Sequence, residues 1–325
     1  MSEARGGSPP PGTVTSTVGF VGLGAMGYPM AGHIARLPGR RCLVWNRTVS
    51  KSERHAAEHG SVRAGELADM GAAGVLVLCL PTSREDTLVA EQVAERMAPG
   101  SVIVSCTSGE PDSTRRLAAS LRECHSVEFL DAPVSGGPGG AAAGSLACLL
   151  GAGDDAAVER AEPVLKAFSR VIVRCGPSGA GHAVKAVNNA MNAAHLLLGA
   201  EGLLALQAAG VAPEVALQAI NGSSGRSLQT EQRLPTEVLT GRFAYGFRLP
   251  LMAKDCRIAG GLLHEGFPGA RLLPAAAGLV EEAEAEEPAE ADYTRVVRLL
   301  ERRAGRELRA GATASREEPP AKRPR

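Results

Sequence analysis

In the segment GFVGLGAMG, Gly22, Gly24 and Gly27 stand in the GxGxxG spacing between a short apolar run and a stretch of helical character. In that setting the first glycine permits a tight turn, the second lets a pyrophosphate reach the backbone, and the third lets the helix pack on the strand. The backbone of Leu23, Ala25 and Met26 completes a loop whose N–H groups, at a helix N-terminus, suit an anionic phosphate. About twenty residues on, where a fold binding NAD would place an acid on the ribose hydroxyl, the chain reads Trp45-Asn46-Arg47-Thr48. Arg47 offers a fork of donors matched to a 2′-phosphate, with Asn46 and Thr48 as supporting hydrogen-bonding groups. This pattern predicts a preference for NADP(H), with NAD(H) possible.

A second constellation is Lys185 and Asn189, four residues apart, with Asn192 three further on, so all three project from one helix face. The surrounding segment is rich in Ala, Leu and Val, and such a polar face meets either solvent or a cleft. The chain holds only five lysines, Lys51, Lys166, Lys185, Lys254 and Lys322, against thirty arginines. Where arginine is the default cation, a lysine raises the question of why a deprotonatable amine is used.

The elements that must position these residues follow an alternating pattern. Strands are predicted at 17–21, 41–45, 75–80, 102–105, 127–130, 146–150 and 171–174, with helices at 25–37, 49–59, 84–97, 112–121 and 154–168. Strict alternation implies crossover connections and a largely parallel sheet with helices on both faces, an α/β Rossmann-type doubly wound fold. After Gly179 the strand signal ends. One long helix over 180–209 and shorter ones near 212–220, 228–239, 251–263, 271–287 and 293–303 make the remainder all-helical. The predicted organisation is a flexible arm over 1–16, a dinucleotide-binding domain over 17–178, a helical substrate and dimerisation domain over 179–303, and a disordered tail over 304–325.

Composition narrows the class. Hydrophobic residues are 44% and charged residues 22%, which excludes wholesale disorder, and 35 basic residues cancel 35 acidic ones, which removes the footprint of a nucleic-acid binder. No apolar run is long enough to cross a bilayer, and the first sixteen residues lack the core of a secretory signal. Seven scattered cysteines with no CxxC pair argue against a disulfide framework or a metal site. A cytoplasmic protein with reduced thiols is expected.

Taken together, GFVGLGAMGYPMA, CLPTS, DAPVSGG with GSLACLLGAG, GAGHAVKAVNNAMN and LMAKDCRIA resemble, in order and spacing, the β-hydroxyacid dehydrogenase family typified by 3-hydroxyisobutyrate dehydrogenase. The resemblance covers roughly residues 17 to 303. It implies that Lys185 is the catalytic lysine and Asn189 the amide that orients and binds substrate. It also implies that Ser135, Gly136 and Gly137 cradle a small carboxylate, that Leu80, Pro81 and Thr107 line the nicotinamide side, and that Lys254 approaches the cofactor. The chemistry is coherent: a neutral amine takes the hydroxyl proton as hydride leaves, and an ammonium returns it, provided burial lowers the amine's pKa. The expected protein is thus an oxidoreductase interconverting a small 3-hydroxy acid and its semialdehyde, as a homodimer or homotetramer. The stretch Pro138-Gly139-Gly140-Ala141 carries no basic residue, although some relatives use one nearby to read a particular acid. A glyoxylate or succinic semialdehyde reductase fits the same cofactor loop. A non-catalytic relative that kept the fold would have no need of Lys185, and a 6-phosphogluconate dehydrogenase would need a larger helical domain.

Overall fold

The computed structural model describes residues 16–311, so the arm before Ser16 and the tail beyond Gly311 lie outside the described residues. The chain divides within one long helix into two compact units, residues 1–188 and 189–325. The first runs β1 (Ser16–Val21), α1 (Gly27–Ala35), β2 (Arg40–Trp45), α2 (Val49–His59), β3 (Val62–Arg63), a 3-10 segment (Leu67–Ala72), β4 (Val75–Leu78), α3 (Ser83–Ala94), β5 (Val102–Ser105), α4 (Pro111–His125), β6 (Glu128–Asp131), β7 (Val134–Ser135), α5 (Gly137–Ala142), β8 (Leu146–Gly151), α6 (Asp155–Leu165) and β9 (Ser169–Gly176). The long helix α7 (Ala180–Ala208) follows. Next come α8 (Pro213–Asn221), a π-helix (Gln229–Val238), α9 (Leu249–Gly266), α10 (Leu272–Glu286), a 3-10 turn (Tyr293–Arg295) and α11 (Val296–Ala304).

The strands form one sheet in the order β3-β2-β1-β4-β5-β6-β8-β7, with β9 against β8. Pairing is parallel from β3 to β6. The sequence winds outward in one direction through β2 and β3, then restarts on the other side of β1 at β4. The carboxyl ends of β1 and β4 therefore frame the crevice where doubly wound sheets bind ligands. Both faces are covered. Val18, Phe20, Val44, Val77 and Val104 point into one core, while Leu43, Leu76, Leu78 and Ile103, their neighbours in the same strands, point into the other. Burial on both faces is why these strands read as continuous apolar runs.

The doubly wound sheet and helical remainder match the sequence reading, with four local differences. β3 and β7 have two residues each, too few for a periodic signal, and α5 and the 3-10 segment at 67–72 lack a clear helical period. β8 runs antiparallel to β6 and β7, which lie in one register against it, because the chain turns back through α5 between β7 and β8 instead of crossing over to a parallel position. Residues 305–311, read as the start of a disordered tail, pack back onto the helical unit. Leu308 is fully buried, its N–H donates to Glu301 Oε1 at 2.8 Å, and the N–H of Ala310 donates to the Leu239 carbonyl at 3.1 Å. Polar composition hid the single apolar anchor that orders this segment.

A buried histidine ties α1 to α2. Nε2 of His55 lies 3.1 Å from the Tyr28 carbonyl, which can only accept, so this nitrogen carries the proton; Nδ1, 2.7 Å from Ser61 Oγ, accepts the serine hydroxyl. Burial, reinforced by repulsion from His59, lowers its pKa from 6.5 to about 4. The fold therefore prefers neutral imidazole, and below pH 6.5 the unfolded chain binds the proton more readily. Stability from this group is complete near neutrality and falls as pH drops toward 4. Between pH 7 and 4.5 it should cost about 2 kcal/mol. Urea unfolding of His55→Gln should show the difference between those pH values reduced by about that amount; an unchanged difference would mean that His55 titrates alike in both states.

Candidate active site

The first unit positions the glycine loop between β1 and α1. Gly22 has φ +102° and a Cβ on it would lie 2.3 Å from the Cys79 carbonyl oxygen; a Cβ on Gly27 would lie 1.9 Å from the Gly22 oxygen. Both positions thus require glycine for the turn and for helix-on-strand packing. Gly24 differs, because a Cβ there would meet nothing within 4 Å. Nothing in the protein demands glycine at this exposed point, which is the property expected where a pyrophosphate approaches. Met26 precedes α1 without a side-chain cap, and the first turn holds no acid, so the helix dipole is not neutralised by the protein. These features fit a dinucleotide, whose phosphates Leu23, Gly24, Ala25 and Met26 would hold.

At the end of β2, Asn46 Oδ1 accepts the Leu23 N–H at 2.9 Å while its amide donates to the Thr48 carbonyl at 3.1 Å. Asn46 therefore shapes the glycine loop itself. Arg47 and Thr48 are exposed beside it. Beyond β4, the Leu80 N–H donates to Thr107 Oγ1 at 2.9 Å, and Leu80 Cδ2 would touch a Cβ on Gly22 at 3.0 Å. Leu80, the exposed Pro81 and the buried Thr107 thus gather with the glycine loop at the carboxyl edge of the sheet. Ser135 ends β7; Gly136 and Gly137, with φ +138° and +66°, turn the chain into α5.

Lys185 stands on α7, whose start is held by Asp131 at the end of β6. The buried Asp131 carboxylate accepts the N–H of Gly179 at 2.7 Å and of His182 at 2.9 Å. His182 Nδ1 and Thr114 Oγ1 lie 2.7 Å apart, a second tie between α7 and the sheet unit. Lys185, one turn further along, is buried, an unusual state for lysine and one that brings its amine out of bulk water.

In the second unit, Asn189 Nδ2 donates to Asp255 Oδ2 at 2.6 Å, and Lys254 Nζ lies 2.9 Å from Asp255 Oδ1. One buried carboxylate thereby brings Asn189 and Lys254 together. With a side chain only 16% exposed, Lys254 is not an ordinary surface ion pair. Asn192, on the same face of α7, bonds instead to the buried Gln229 of the π-helix. The sequence reading held Asp131 only as the first residue of DAPVSGG and Asp255 only within LMAKDCRIA, with no role given to either. An acid inside an apolar stretch was the available signal. Among the described residues no group of three His, Cys, Asp or Glu could hold a metal ion.

The loop geometry separates two glycine substitutions. Gly27→Ala should cost roughly 2 kcal/mol or more by forcing backbone apart. Gly24→Ala should melt within about 0.5 kcal/mol of wild type yet weaken NADPH binding about tenfold or more, because the methyl fills the approach to the loop. Thermal melts and NADPH fluorescence titration measure both; undiminished affinity in Gly24→Ala would remove the phosphate role from the loop.

The family model described as the NAD-binding domain of 6-phosphogluconate dehydrogenase matches residues 17–176. A second, described as NAD-binding of NADP-dependent 3-hydroxyisobutyrate dehydrogenase, matches residues 179–300. The 2-(hydroxymethyl)glutarate dehydrogenase of Eubacterium barkeri is 33% identical over 245 residues, covering 74% of this chain and 80% of that protein. The NAD-dependent L-serine dehydrogenase of Pseudomonas aeruginosa is 32% identical over 256 residues, covering 74% and 84%. Among solved structures, the Mycobacterium tuberculosis 3-hydroxyisobutyrate dehydrogenase with L-serine superposes with a TM-score of 0.78 at 28% identity, over 88% of this chain and 99% of that one. With a glycine loop built for a dinucleotide, a buried lysine on the long helix and relatives matched along most of its length, this chain belongs to the β-hydroxyacid dehydrogenase family, oxidoreductases that act on CH–OH groups with a nicotinamide dinucleotide.

Proposed function

We propose that the protein is an NADP(H)-preferring dehydrogenase that interconverts a small 3-hydroxy acid and its semialdehyde, with Lys185 moving the hydroxyl proton. The observation that carries this reading is the buried amine of Lys185, fixed on a helix whose first turn is bonded to Asp131. A bound nicotinamide dinucleotide supplies hydride exchange at carbon. The chain's own residues do the rest. Neutral Lys185 takes the proton from the substrate hydroxyl during oxidation, and its ammonium form gives one back to the oxygen during reduction. Arginine stays protonated near neutral pH and cannot do this. Asn189, whose amide donates to Asp255, orients the substrate. Ser135 offers a hydroxyl, and Gly136 and Gly137 offer backbone N–H groups, to the substrate carboxylate.

Substrates named for the relatives narrow the class. Serine, 3-hydroxyisobutyrate and 2-(hydroxymethyl)glutarate share a CH2OH group on the carbon that bears the carboxylate, and differ only in the third substituent. We therefore assign this chain a 3-hydroxypropionate core with a variable substituent, in preference to glyoxylate, whose reacting carbon bears the carboxylate directly. The same reading makes it a cytoplasmic homodimer or homotetramer, which gel filtration with light scattering tests.

Assayed against these acids and their descarboxy alcohols by NADPH absorbance, the enzyme should prefer the acids. On the best of them Lys185→Ala should lower turnover by roughly two to four orders of magnitude with NADPH affinity nearly intact, and Lys185→Arg should behave alike. Near-wild-type turnover in Lys185→Ala would discard the assignment.

Cofactor choice follows from the end of β2. Arg47, exposed there, is available for a bidentate, charge-assisted contact with a 2′-phosphate, and no acid stands ready for a ribose hydroxyl. The kcat/KM preference for NADPH over NADH should be about 10- to 100-fold. Asn46→Asp combined with Arg47→Ala should shrink or invert it, while the aspartate keeps an oxygen for the Leu23 N–H. Equal use of the two cofactors by the wild type would leave Arg47 an ordinary loop arginine.

A further inference from the structure

We infer that Asp86 is a positioning residue for the nicotinamide end of the dinucleotide site, acting through Thr107 on the Leu80–Pro81 turn. This rests on the reading of Leu80, Pro81 and Thr107 as cofactor-lining residues. Asp86 itself lies in the first turn of α3 and is only 2% exposed. Its Oδ1 accepts the Thr107 hydroxyl at 2.7 Å, and its Oδ2 accepts the Ser105 hydroxyl. A hydroxyl carries one proton. Because that of Thr107 is directed to Asp86, its lone pairs are turned toward the Leu80 N–H, which donates at 2.9 Å.

That N–H lies just past the sheet ladder. The preceding residue, Cys79, donates to the Val21 carbonyl at 2.9 Å, and Leu80 is the first residue after β4 whose N–H goes to a side chain instead. Leu80 in turn leans on the glycine loop, its Cδ2 being 3.0 Å from where a Gly22 Cβ would be. A chain of contacts thus runs from Asp86 through Thr107 and Leu80 to Gly22, joining the ends of β5, β4 and β1. The N-terminal dipole of α3 favours negative charge on Asp86, and buried hydroxyl donors satisfy both its oxygens. A carboxylate needed only for packing would have no reason to orient the one hydroxyl that caps the turn.

The test is a double-mutant cycle on NADPH affinity, with thermal melts alongside. Asp86→Ala and Thr107→Val should each raise the NADPH Kd about tenfold, and the double variant should bind no more weakly than either, since both cut one chain of contacts. Thr107→Ser, which keeps the hydroxyl, should bind within about twofold of wild type. Ser105→Ala frees the other oxygen of Asp86 and should lower the melting temperature while leaving Kd within about twofold. If Asp86→Ala fails to fold, the contrast between Thr107→Val and Thr107→Ser decides. The proposal is overturned if Thr107→Val binds NADPH like wild type, if Asp86→Ala lowers only the melting temperature, or if the two losses multiply independently. Wild-type protein that bound neither NADPH nor NADH would overturn the dinucleotide reading first, and this proposal with it.

Discussion

The carboxylate of Asp131 carries the structural weight of the start of α7. It is fully buried, and a buried charge is costly unless several donors converge on it. Here the donors are the N–H groups of Gly179 and His182 at the start of α7, unsatisfied by the helix itself and at its positive end. The carboxylate and the helix terminus thus resolve each other's desolvation. Glycines make the approach possible. A Cβ on Gly181 would fall 2.1 Å from the Leu149 carbonyl oxygen, and one on Gly151 would fall 2.5 Å from an Asp131 oxygen. With the first turn of α7 fixed in this way, the direction of Lys185 is set by helix geometry alone.

The same device recurs within each unit. Asp86 holds the hydroxyls of Ser105 and Thr107, and Asp255 holds Asn189 and Lys254, as Asp131 holds the N-terminus of α7. In each case a buried acid accepts from groups that would otherwise rotate or fray. Residues that meet small ligands must be held to within a fraction of an ångström, and charge-assisted hydrogen bonds in a dry surrounding are stiffer than apolar contacts. Apolar packing supplies the scaffold. These carboxylates supply the direction of the groups mounted on it.

The crevice for the dinucleotide has a different origin. It follows from the order of strands, because reversing direction between β1 and β4 leaves their carboxyl ends uncovered by a crossover helix. Glycine shapes its edge: at Gly22 and Gly27 the protein's own backbone is too close for a side chain, whereas at Gly24 a Cβ would meet nothing within 4 Å. Asn46 bonds the glycine loop to the end of β2 beside Arg47.

The amino-acid sequence by itself determined the architecture and the class of enzyme. Strand runs at 102–105, the helix at 49–59 and the long helix entering the second half all stand where periodicity puts them, because each buries enough apolar surface to be legible locally. The glycine spacing, Arg47 in place of an acid, and Lys185 one turn from Asn189 were equally plain, since each depends on neighbours a few residues away. Only the tertiary structure decided what holds them. The bonds from Asp86 to Thr107, from Asp131 to His182 and from Asp255 to Asn189 span 21, 51 and 66 residues, and no local period records such pairings. It likewise decided that β8 runs antiparallel and that Leu308 draws the chain end back, both set by contacts between distant segments. Short-range order is written in side-chain spacing, whereas the direction of a buried polar group is settled only when the fold has removed every competing partner, water included.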